Sequence, residues 1–82
     1  MTSFADLKTK KFLRLVKWLG KNKGVTIEQG GRHNIKVTAI HTGKSYPLPT
    51  SHSIMNKNII QSFMEWLIKE DICTEQEFKD NL

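Results

Sequence analysis

Val25-Thr26-Ile27-Glu28-Gln29-Gly30-Gly31-Arg32-His33-Asn34-Ile35-Lys36-Val37 decides the fold of this 82-residue chain. Val25 to Gln29 alternates and is β-branched, which predicts a short strand. Glycine accepts positive φ at little cost, so Gly30-Gly31 predicts a tight hairpin turn into a second strand, Asn34 to Ile40. Side chains alternate faces along a strand. His33, Ile35 and Val37 therefore share one face, and Arg32, Asn34 and Lys36 the other.

Downstream, His41-Thr42-Gly43-Lys44 reads as a turn and Ser45 to Leu48 as a third strand. Pro47 cannot donate to a ladder, which puts that strand at an edge. Pro49-Thr50-Ser51-His52-Ser53 is a loop. A long helix then follows from Met55 or Asn56 to Lys69, with Ser53 expected as N-cap. Its broad apolar face comprises Ile59, Ile60, Phe63, Met64, Trp66 and Leu67. Thr74-Glu75-Gln76-Glu77 has the pattern of a capping box opening a short acidic helix.

Upstream, Asp6 to about Asn22 is helical in period. Leu7, Phe12, Leu15, Val16 and Leu19 make an apolar stripe, and Lys10, Arg14, Lys17 and Lys21 a basic one. Trp18 lies off the apolar stripe by about one residue, so half-burial is expected. Gly20 and Gly24 flank the expected stop. The order is α-β-β-β-α with a short helix appended. A meander covered on one face by two amphipathic helices is an α+β two-layer sandwich. Residues 1–82 are expected to form a single domain.

Thirteen Lys and Arg oppose eight Asp and Glu, a net charge of +5. The excess is uneven. Residues 1–57 hold eleven cations against Asp6 and Glu28, whereas residues 58–82 hold Lys69 and Lys79 against six acids. A basic body with an acidic end is the electrostatic footprint of nucleic-acid binding. No apolar run approaches the roughly 18 residues that span a bilayer, and no membrane partner is expected. Met1-Thr2-Ser3-Phe4 lacks a signal core. Cys73 is the sole cysteine, so no internal disulfide forms and a cytoplasmic setting is expected.

The three histidines have no metal-binding spacing, and there is no CxxC, P-loop, dinucleotide fingerprint or nucleophile elbow. No metal or other cofactor is expected. Cys73, beside Ile72 after the long helix, reads as a packing residue. What remains is an imidazole on a basic platform. RNA brings its own nucleophile, the 2′-hydroxyl beside the scissile phosphate. A base near neutral pH with nearby cations therefore suffices for cleavage. His33 is the candidate base or acid. Arg32 at the turn, Lys36 and Lys44 are candidate phosphate contacts. Tyr46 is the only candidate for base stacking.

The run Gly30 to Val37, the following Gly-containing turn, Tyr46-Pro47-Leu48-Pro49, then His52 and a helix starting near Asn56-Lys57 resemble the HicA toxin family. The similarity covers most of the chain, from the first helix to Thr74-Glu75-Gln76-Glu77-Phe78. The resemblance implies a toxin-type mRNA interferase with a double-stranded-RNA-binding-domain-like α-β-β-β-α fold. It aligns His33 with the catalytic histidine of the family's Gly-x-x-His element. It places His52 at an RNA-contacting position before the last long helix, and it implies a cognate HicB-type antitoxin that covers the active site. Two other classes compete: a non-catalytic double-stranded-RNA-binding module, and a protein-interaction subunit using Trp18, Trp66 or the acidic tail.

Overall fold

The computed structural model describes residues 4–29 and 34–82. Among these residues eight elements follow one another: β1 (Leu7–Lys8), α1 (Thr9–Asn22), β2 (Val25–Gln29), β3 (Ile35–Ala39), β4 (Ser45–Leu48), β5 (Ile54–Met55), α2 (Lys57–Lys69) and α3 (Glu75–Asp80). Strands β2, β3 and β4 form an antiparallel sheet in that order. The chain is thus a small α+β fold, and β4, with Pro47, lies at an edge as expected.

Alternation along each strand separates the two faces of the sheet. Val25, Val37, Ala39 and Leu48 are buried and belong to one core cluster with Phe12, Leu15, Val16 and Leu19 of α1 and Ile60, Phe63, Met64 and Leu67 of α2. Thr26, Glu28, Lys36, Ser45 and Pro47 are exposed on the other face. Both long helices therefore feed the same side of the sheet. Phe63 is the aromatic hub, with ring centroids 5.7 Å from Phe12, 5.4 Å from Tyr46, 6.1 Å from Trp66 and 6.3 Å from Phe78.

Two boundaries differ from the sequence expectation. The first helix starts at Thr9 rather than Asp6, because Leu7 and Lys8 are extended and pair with Met55 and Ile54. Asp6 instead accepts from the Lys57 backbone N–H at 2.8 Å, at the start of α2. The N-cap of α2 is Asn56, whose Oδ1 accepts from the Asn58 N–H at 2.7 Å; Ser53 does not cap it. Ser53 is held in the loop leading to β5, where its carbonyl accepts from the Thr9 N–H.

Other signals were placed as expected. Thr74 and Glu77 form a reciprocal capping box at α3. Trp18 is half-buried, with the Lys23 ammonium 5.7 Å from its ring centroid. Gly24 ends α1 with φ of 64°, whereas Gly20 lies inside the helix against Ile27. Among the described residues no helix is long and apolar enough to cross a membrane.

Candidate nucleic-acid interface

Only Lys23 and Gly24 separate α1 from β2, so the chain turns there directly from helix into sheet. Ile27, midway along β2, faces Gly20 of α1: a Cβ built on that glycine would sit 2.9 Å from the Ile27 Cδ1. Register aligns one end of the sheet, where Gln29 pairs with Ile35 and Ile35 with Leu48. From Leu48 the chain enters the Pro49–Ser53 loop.

That loop is fastened to α1. The Thr9 hydroxyl donates to the His52 carbonyl at 2.6 Å, and the Thr9 N–H donates to the Ser53 carbonyl at 2.9 Å. His52 thus sits beside the start of a helix whose first turn carries Lys10 and Lys11 and no acid. These contacts bridge 43 residues of sequence. No spacing rule announced them, since two-residue strands such as β1 and β5 leave no periodic signature.

The candidate residues divide accordingly. His33 and Arg32 lie outside the described residues, as do Gly30 and Gly31. Gln29 and Asn34, which bound that stretch in the chain, are at the sheet end from which β4 leads into the His52 loop. The Asn34 Oδ1 is buried with no hydrogen-bond partner among the described residues, a state that buried acceptors seldom keep.

Lys36 projects from the solvent face of β3, opposite Glu28 in register and 3.7 Å from its carboxylate. Lys44 is at the other end of the sheet. Its carbonyl accepts from Ala39. At about 3.3 Å per residue that end is about 13 Å from Ile35. There Lys44 lies 3.9 Å from the buried Glu70 carboxylate, and the His41 Nε2–H donates to the Glu70 carbonyl at 2.7 Å. The structure groups His52 with α1 and sets Lys44 apart from both. Tyr46 is half-buried, with Phe63 and Trp66 rings 5.4 and 5.5 Å away, so its faces serve the core.

The chemistry around the acidic end is structural. The Lys23 ammonium binds the Glu77 carboxylate, joining the end of α1 to α3. The Lys23 hydrogen bond, first, and then that from the Thr74 backbone hold the Glu77 carboxyl below its ordinary value. Cys73 is buried, and loss of solvent pushes its thiol up to about 11, with the Glu77 charge adding to the effect. A thiol held protonated is a poor nucleophile.

Among the described residues no group of three or more His, Cys, Asp or Glu could hold a metal ion. Comparison with protein-family models, curated proteins and solved structures finds no match.

Proposed function

We propose that this chain is a toxin-type endoribonuclease that cleaves mRNA without a metal through His33, and that a HicB-type antitoxin neutralises it. The helices on one side of the three-stranded meander are read as a double-stranded-RNA-binding-domain-like arrangement. The observation that carries the proposal is the hydrogen bonding of the His52 loop to the start of α1. That loop follows the sheet end where Gln29, Ile35 and Leu48 pair, and it is fastened beside the cationic first turn of α1.

In the proposed reaction the His33 imidazole takes the proton of the 2′-hydroxyl. The 2′-oxygen attacks the adjacent phosphorus, and the bond to the 5′-oxygen breaks. That oxygen leaves with a proton from an imidazolium or from water. The products are a 2′,3′-cyclic phosphate and a 5′-hydroxyl, with no oxidant or cofactor consumed. Arg32 and His52 would hold the phosphate, with Lys36 as an outer contact; Lys44, at the far end of the sheet beside Glu70, is left out of this site. Positive charge beside the phosphorane lowers the barrier because charge accumulates on its oxygens.

The test is induced expression in a bacterial host, with RNA followed in chelator-treated lysate. Wild type is expected to arrest growth and leave cyclic-phosphate ends, and His33→Ala to do neither while remaining folded. Cleavage retained by His33→Ala would remove the catalytic assignment. The acid-free, cation-rich α1 also favours a second reading, a non-catalytic double-stranded-RNA-binding module. RNA left intact by wild type but bound equally by both proteins would select that reading.

A further inference from the structure

We infer that the outer face of α1 is a track for the backbone of single-stranded RNA, leading the strand toward or away from the His52 end of the molecule. This deepens the ribonuclease reading and rests on it.

Charge pairing and spacing together mark this face. Lys23, Lys36, Lys44 and Lys79 each lie within ion-pair reach of a carboxylate. Lys10, Arg14, Lys17 and Lys21 have no such partner among the described residues; Lys8, Lys11, Lys57 and Lys69 share that state, but only these four form a row along one helix that itself contains no acid. The helix also runs against its own electrostatics. Its N-terminus carries partial positive charge, which favours acids, yet Lys10 and Lys11 fill the first turn. Lys8 at the N-cap supplies no side-chain hydrogen bond. A local rule broken without a compensating contact is the expected mark of a site kept for binding.

Shape selects the occupant. Lys10, Leu13, Arg14 and Lys17 line an open furrow along the helix, with Leu13 partly buried among the cations. Lys10, Arg14, Lys17 and Lys21 fall at successive intervals of four, three and four residues, a row that rises about 16 Å along the axis. One row of cations matches one phosphodiester backbone rather than the two of a duplex. Thr9 anchors the His52 loop next to Lys10, the row's first member, so the row begins beside the proposed site.

The test uses the triple variant Lys10→Gln, Arg14→Gln, Lys17→Gln in the His33→Ala background, so that binding is measured without cleavage. The probes are a short unpaired RNA and a hairpin of equal length. The control Lys69→Gln, Lys79→Gln removes charge from the acidic end. Each backbone contact contributes a salt slope of about −0.7 for single strands. The triple variant is therefore expected to flatten log Kd against log salt by about 2, with the control unchanged. In the wild-type background the pair Arg14→Gln, Lys17→Gln, which leaves the first turn of α1 intact, should lower kcat/KM on long RNA while sparing a very short substrate. An unchanged slope, or an equal loss in the control, overturns the track. Preference for the hairpin, with a slope change nearer 3, overturns the single-strand assignment. Absence of cleavage by wild type, with the slope change intact, would remove the ribonuclease reading alone.

Discussion

Cys73 shows how burial sets the chemistry of one side chain. It is about 7% exposed, and its thiol is raised from the ordinary 9.0 to about 11, mainly by desolvation. In the unfolded chain the thiol ionises near its ordinary value, so between pH 9 and about 11 the unfolded state binds fewer protons than the folded one. Stability must fall as pH rises through that window. The difference in chemical-denaturation stability between wild type and Cys73→Ala should therefore change across it, with wild type losing ground. Native Cys73 should also resist alkylation near neutral pH and react once the chain is unfolded. Ile72 beside it was enough to read the cysteine as a packing residue. The Glu77 charge that adds to the shift depends on α3 returning to α1, which no local pattern states.

The ends of the elements show where local chemistry and tertiary contact agree. At the end of α2 the Ile72 N–H donates to the Leu67 carbonyl at 2.9 Å and the Asp71 N–H to the Ile68 carbonyl at 3.0 Å, a Schellman motif. The residue in the left-handed conformation is Asp71, with φ of 58°, where glycine is usual. Asp71→Gly should stabilise the protein by about 1 kcal/mol through relief of that conformation. Unchanged or lower stability on denaturant titration would show that the aspartate contributes elsewhere. At α3 the capping box was legible because both partners lie within four residues. Thr74→Ala should cost about 1 kcal/mol, read as a lower denaturation midpoint. The start of α1 was not legible, because the extended Leu7-Lys8 acquires its partner from Ile54-Met55.

Across the whole molecule one core holds the sheet, both long helices and α3. Phe63 has no exposed surface and meets rings from α1, β4, α2 and α3. Phe63→Ala should cost about 3–5 kcal/mol, a large share of the 5–15 kcal/mol typical of a small domain. Calorimetry should show a collapsed or absent transition. A loss below about 1 kcal/mol would mean that the core refills the space. Such a core leaves the outer face of α1 and the outer face of the sheet to other duties.

By itself the sequence determined what periodicity and local caps can encode. The apolar stripes of α1 and α2, the alternation of β2 and β3, the edge position marked by Pro47 and the capping box at Thr74 are all set by neighbours within a few residues. The basic stripe of α1 was equally plain, because charge is counted residue by residue. Only the tertiary structure decided which basic residues keep company. Lys44 falls at the far end of the sheet beside Glu70, while Thr9 draws His52 to the first turn of α1. The reason is physical: a hydrogen bond across 43 residues depends on how the layers pack, and packing is a property of the whole core rather than of any segment.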